Sequence, residues 1–240
     1  MPNAVRREEL NTGMTYVFVF DAVLRAWPRL LEGAIYTIQL SVISIALGFV
    51  LGTLCAIVRH QNLRILNPLV SVYVDVIRNT PFLVQAFLVF FGLSTAGIQL
   101  SAQTAAILAI TLNVGAYSCE IMRAGLESIH RSQIEAAESL GMSKSAIYWH
   151  VILLPATERV YPALTSQFIL MMLATSVTSQ ISAEELTGIA NIIQSETFRS
   201  FETYIVVGVI YIGLSLLFRL GFWLIGQVLF RRKRLLGTSV

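Results

Sequence analysis

Seven polar side chains lie inside long apolar runs of this 240-residue chain: Gln85, Asn113, Gln167, Thr175, Ser176, Thr178 and Ser179. A polar group in hydrocarbon costs free energy, so each must face protein or a water-filled path. A zwitterion crossing between them would need donors for its carboxylate, acceptors for its ammonium and a broken helix that offers bare backbone groups. Thr80 and Pro81 in "RNTPF" at 78–82 mark such a break, because proline lacks the backbone donor and crowds the residue before it. The same side chains can instead hydrogen-bond between helices, and both uses stay open.

Other reactive groups point to structure. Asp75 and Arg78 are three apart beside the break, as are Glu120 and Arg123, a helical spacing that lets opposite charges pair. The first pair could also gate a path, and the second could snorkel to the interface. His60, His130 and His150 are isolated and have no partner at helical spacing, so no metal site is expected. Cys55 and Cys119 fall within apolar segments and read as packing residues. There is no G-x-x-x-x-G-K-[ST] loop, serine elbow or carboxylate pair, so no catalytic residue is assigned and the chain does not hydrolyse ATP itself.

The elements that must position these groups are membrane helices. Hydrophobic residues make up 55% of the chain and charged ones only 13%, about half the share of a soluble domain. Apolar runs near the roughly 20 residues that cross a bilayer recur at about 35–58, 68–93, 102–121, 162–178 and 204–230. An all-α protein of about five spans follows. Within the first, Ser44, Gly48 and Gly52 recur every four residues and form a face for close helix packing. Residues 1–34 are expected to be a tail and an interfacial helix at 16–33 interrupted by Pro28, 35–230 the membrane domain, and 231–240 a basic tail. No cleavable signal is evident, so insertion is expected to rely on the first span.

Basic residues set the orientation. Arg59, Arg64, Arg123, Arg131, Lys144, Arg159 and "RRKR" at 231–234 fall on one side, which the positive-inside rule makes cytoplasmic. Glu184, Glu185, Glu196, Arg199 and Glu202 lie in outer loops, and the N-terminus is outside. The net charge of +3 therefore concerns topology, and no nucleic-acid partner is implied.

The longest cytoplasmic loop carries "EAAESLGMSKSAIYWHVILLP" at 135–155. "QIEAAESL" is rich in helix formers, Gly141 suits the left-handed residue that ends a helix, and Ser143 can cap a second short helix, "KSAIYWHVIL". A helix, a sharp turn and another helix make a knob that another protein's groove could grip.

This stretch resembles the EAA loop of bacterial ABC-importer permeases, whose pattern is E-A-A, three residues, G, nine residues, I, one residue, then L-P. Glu135, Ala136, Ala137 and Gly141 match, and Val151 and Leu153 take the isoleucine and leucine places. Leu154 stands where the pattern has proline, which arrives one residue later at Pro155, and Ser132 precedes Gln133 where the family commonly has glycine. The segments at 37–52, 76–93, 113–129 and 197–219 resemble the polar amino acid branch of these permeases. The resemblance implies a type I importer permease fold with its N-terminus outside and C-terminus cytoplasmic. It implies a coupling loop over 131–155 that docks on an ATP-binding cassette subunit. Two such ATPase subunits, a second permease and an extracytoplasmic solute-binding protein would complete the machine in the bacterial inner membrane. The chain would hold no cofactor, ATP and magnesium being bound by the ATPases. The rival from the residues alone is an ion-coupled secondary transporter or channel, which would want an intramembrane carboxylate; Asp75 and Glu120 near the span ends are the candidates.

Overall fold

The computed structural model of the chain describes residues 16–230. The tail residues Arg6, Arg7, Glu8 and Glu9 and the basic run at 231–234 lie outside the described residues. The described chain is all helix and connection: α1 (Asp21–Arg25), α2 (Trp27–His60), α3 (Leu66–Arg78), α4 (Phe82–Thr95), α5 (Ala102–Glu127), α6 (Arg131–Ser139), α7 (Lys144–Ile181), α8 (Leu186–Thr197) and α9 (Ser200–Leu229). The helices α2, α5, α7 and α9 are each long and apolar enough to cross a membrane, and the bent pair α3–α4 makes a fifth span if counted as one.

The first boundary differs from expectation. Pro28 does not interrupt an interfacial helix; it sits in the first turn of α2, where backbone donors lack helical partners and proline's missing N–H costs nothing. Residues 16–20 instead have no regular secondary structure, and Glu202 pins them. Its fully buried carboxylate accepts from the Val19 N–H at 2.9 Å and from the Tyr16 hydroxyl. Arg29 forms a two-pronged pair with Glu196 at 2.6 and 3.2 Å, so the start of α2 and the end of α8 are tied at the same end of the bundle.

The core is α2 against α5, with α7 packed against both. The small-residue stripe explains the first contact. A β-carbon on Gly48 would lie 2.5 Å from Val114 and one on Gly52 2.5 Å from Ser118, so the helices meet at a distance only glycine allows. Ile110, Met122, Leu126, Leu164 and Met172 are fully buried along this seam. By contrast α9 leaves Val209, Ile212, Leu216, Leu220 and Trp223 exposed, as a helix facing lipid does.

The loop after α7 was expected to be an outer connection, but it contains α8. Glu185 caps this helix, accepting from the Thr187 and Gly188 N–H groups at 2.9 and 2.8 Å and from the Tyr211 hydroxyl at 2.7 Å. The Leu186 N–H donates to Thr37 on α2 at 3.1 Å. The carboxylate is fully buried with no cation beside it among the described residues, and that burial pushes its pKa up against the pull of the two backbone donors.

Candidate coupling loop and transport path

The loop residues come together as a closed, locally specified turn. In α6, Ala137 is buried, while Glu135 is exposed and pairs with Arg131 at 3.0 Å. The helix ends with the Gly141 N–H donating to Glu138 O at 2.9 Å and the Met142 N–H to Ala137 O at 3.2 Å. These are the two hydrogen bonds of a Schellman motif, which needs a left-handed residue at the glycine position. Gly141 has φ +74°, and nothing lies within 4 Å of where its β-carbon would stand. Glycine is there for its backbone freedom and for the open space above it. Ser143 accepts from the Ala146 N–H at 3.3 Å and starts the next helix. His130 caps α6 in the same way, through Nδ1 and the Ser132 N–H.

The second half of the loop departs from expectation. Residues 144–153 do not form a separate short helix; they run without interruption into the membrane segment of α7. Ile147–Leu153 is a π-helix. A π turn closes on the fifth residue instead of the fourth and so holds one residue more than an α turn. The base of the loop is closed by Arg159, which donates to the Ser128 carbonyl at 2.6 Å and its hydroxyl at 2.9 Å, across the end of α5. What remains at the apex is bare: Leu140 is 81% exposed, with Trp149 at 60%.

The expected helix break is present. α3 and α4 are bent by 113° about Asn79–Pro81. The carbonyl of Ile77 would accept from residue 81 in a continuous helix, but Pro81 has no N–H to give. The Gln85 side-chain amide replaces it, donating to Ile77 O at 2.7 Å and to Thr80 O and Oγ1 at 3.0 Å. Asn113 on α5 in turn donates to Gln85 Oε1 at 2.9 Å. Both side chains are buried, so two of the proposed path residues hold the break and join it to α5.

Thr175 and Ser176 begin the 3-10 turn Thr175–Ile181 that ends α7, and α4 packs against that turn. Thr175 is fully buried and donates to Met172 O at 2.6 Å; Ser176 is half-buried and donates to Leu173 O at 2.8 Å. Thr178 and Ser179 make the same backward bonds within the turn. Gln167 is half-buried two turns earlier, away from the break. The fold thus gathers Gln85, Asn113, Thr80, Pro81 and Thr175 around two irregular helix segments and leaves Gln167 apart.

Asp75 and Arg78 do not pair. Arg78, the last residue of α3, instead reaches α5, where it lies over the Tyr117 ring at 5.5 Å and 3.7 Å from Glu120. Glu120 and Arg123 do pair, at 3.0 Å, and Arg59 at the end of α2 also donates to Glu120. One carboxylate therefore joins three arginines from α2, α3 and α5. Only the Arg123 contact had a local signal; the others span 61 and 42 positions of the chain. Glu185 and Glu202, both buried, likewise had no local sign beyond their charge.

Comparison with known proteins places this architecture. The family described as "Binding-protein-dependent transport system inner membrane component" matches residues 48–230. The nopaline transport system permease protein NocM of Agrobacterium fabrum is 36% identical over 203 residues, covering 80% of this chain and 84% of its own. The glutamine transport system permease protein GlnP of Escherichia coli K12 is 36% identical over 201 residues, covering 83% and 92%. Among solved structures, an amino acid ABC transporter crystallised with histidines aligns with TM-score 0.80 and 34% identity over 88% of this chain and 99% of that one. The inward-facing MetNI methionine ABC transporter shares the fold, with TM-score 0.68 and 22% identity. With the loop, the broken helix and four or five candidate spans in place, this chain belongs to the inner membrane components of binding-protein-dependent transport systems, as a multi-pass ABC permease.

Proposed function

We propose that this chain forms the translocation path of an ATP-driven importer for a polar amino acid or a related compound such as an opine, and that the loop at 131–155 couples it to a separate ATPase. The Schellman-capped turn carries the reading: it sets Gly141 and Leu140 at an uncovered apex while Arg159 fixes the base, so the loop presents a rigid knob with an apolar tip. A groove that grips this knob can pull on α7 directly. Two ATP-binding cassette subunits, holding ATP and magnesium, would dock there. A second permease, identical or similar, would face this one, and an extracytoplasmic binding protein would deliver the substrate.

In this reading the N-terminus is outside and the C-terminus cytoplasmic, which places α6 and the basic residues on the ATPase side. ATP favours the closed ATPase pair, and rigid contact at the loop then shifts the permease towards its outward-open state. The relatives named for nopaline and glutamine support a small zwitterionic cargo. Against an ion-coupled carrier, Glu120, one of the two carboxylates the sequence offers near the span ends, is held by three arginines.

The test is to tag the chain, extract it gently from its own membrane, and identify and count what co-purifies. An ATP-binding cassette protein in equal ratio, together with uptake that requires ATP, is the expected result. A stable oligomer that has no ATPase and still transports when ATP is removed would overturn the proposal.

A further inference from the structure

The polar residues of α3 share one face. Asn67, Ser71, Asp75 and Arg78 follow one another at helical spacing, so their side chains form a single stripe along the helix. The residues packed on the core, Val74 with Val70, Tyr73 and Ile77 at its flanks, lie on a second face, and the exposed apolar residues Leu69, Val72 and Val76 on a third. A helix surrounded only by protein and lipid would need the second and third faces and not the first.

The stripe reaches deep into the bundle. The Tyr73 hydroxyl donates to Leu112 O at 2.6 Å, near the middle of α5, and a β-carbon on Gly115 would lie 2.7 Å from that hydroxyl and 2.9 Å from Leu51 of α2. Asp75, two residues further along α3, is therefore well inside the span that α3 and α4 make together. Its backbone carbonyl accepts from the Asn79 side chain at 2.8 Å, but its carboxylate is exposed and, among the described residues, meets neither a cation nor a hydrogen-bond donor. Arg78, by contrast, is engaged by Glu120 at 3.7 Å and by the Tyr117 ring. The stripe thus carries one uncompensated negative charge. A carboxylate at that depth is unfavourable in hydrocarbon and is stable beside water or a cation. Ser71 and Asn67 continue the polar surface from it to the start of α3, so water can follow the stripe.

We infer that the polar stripe of α3 lines the aqueous half of the path between the break and the start of α3, and that Asp75 receives the ammonium group of the cargo there. This assignment rests on the reading of the chain as a permease for a zwitterion. It supplies the charge recognition that Gln85 and Asn113, engaged at the break and with each other, do not.

The test uses inverted membrane vesicles that hold the full complex and expose its cytoplasmic face. Single cysteines are placed on the stripe, as Asn67→Cys or Ser71→Cys, and on the apolar face, as Val72→Cys or Val76→Cys. Their modification rates are measured with two water-soluble thiol reagents, the cationic trimethylammonium-ethyl and the anionic sulfonatoethyl methanethiosulfonate. Cys55 and Cys119 are buried, and the unsubstituted chain gives their background. The stripe cysteines should react about tenfold faster than those on the apolar face, because thiol reactivity follows access from water. Adding Asp75→Asn to Ser71→Cys, one turn away, should lower the ratio of cationic to anionic rates about tenfold at low ionic strength, from a roughly threefold change in each rate for a unit charge about 6 Å away in water. A non-hydrolysable ATP analogue, by favouring the outward-open state, should abolish the advantage of the stripe over the apolar face. Equal rates on the two faces, or a ratio indifferent to Asp75→Asn, would overturn the assignment, because the stripe would then be dry or its charge compensated by another subunit. So would stripe rates that ignore the analogue in vesicles whose uptake requires ATP, which would mark a surface that is wet in every state. Should uptake not require ATP, the permease reading fails, and the comparisons of face and charge still decide the stripe.

Discussion

A carboxylate at the apex of the coupling loop separates docking from folding. Gly141 is left-handed at φ +74° with open space around it, so Gly141→Asp meets no clash. Its cost is backbone strain of about 1–2 kcal/mol, in a conformation that Asp tolerates better than most residues. That is small beside the roughly 5–15 kcal/mol of a folded domain, so the variant should insert normally. At a docked interface the same carboxylate would be desolvated and unpaired, at about 2–5 kcal/mol. By the usual conversion this is a loss of roughly 30-fold to several thousand-fold in affinity for the ATPase. The assay is paired: the amount of chain in the membrane, and the ATPase that co-purifies with it alongside ATP-dependent uptake. Gly141→Asn, with the same backbone tolerance and no charge, should retain more of both. Native co-purification and normal uptake by Gly141→Asp would refute the reasoning, because the apex would then contact nothing.

Three further outcomes follow from the geometry. Gln85→Leu leaves Ile77 O and Thr80 O at the break without their donor and should cost about 1–3 kcal/mol, read as a lower melting temperature of the purified chain; an unchanged melting temperature would show that the amide does not hold the break. Deleting Leu154 should let the π stretch relax to α-helix with uptake retained, whereas deleting Ile169 in the regular part of α7 should turn the two ends against each other and abolish it. Because burial raises the Glu185 carboxyl, ionising it opposes folding. The contribution of Glu185 to native-state stability is therefore full below the ordinary glutamate value of about 4.3 and is lost as pH rises through the raised one, and Glu185→Gln should remove that part of the dependence in thermal melts against pH.

Some of this molecule was written locally and could be read without the fold. The apolar runs, the proline that removes one donor at the break, the glycine that must go left-handed after α6 and the serine three residues before Ala146 each act over a single turn of chain. The stripe of Ser44, Gly48 and Gly52 also announced a close packing face, though not the partner that fills it. Only the tertiary structure decided which groups meet across the bundle. The three-residue spacing favoured an Asp75–Arg78 pair, but packing of α3 on α5 gives Arg78 a carboxylate 42 positions away. Gln85 and Asn113 had the chemistry of a path, and only the fold showed that both are engaged at the break, where the missing N–H of Pro81 needs a substitute donor. The short helix α8 had no span-length apolar run to reveal it and gains its stability by docking on α2 through Leu186 and Thr37. Local dihedral preferences and solvent transfer are properties of a residue and its near neighbours, so sequence reports them; the partner of a buried charge or amide depends on which helices the membrane-buried packing brings together.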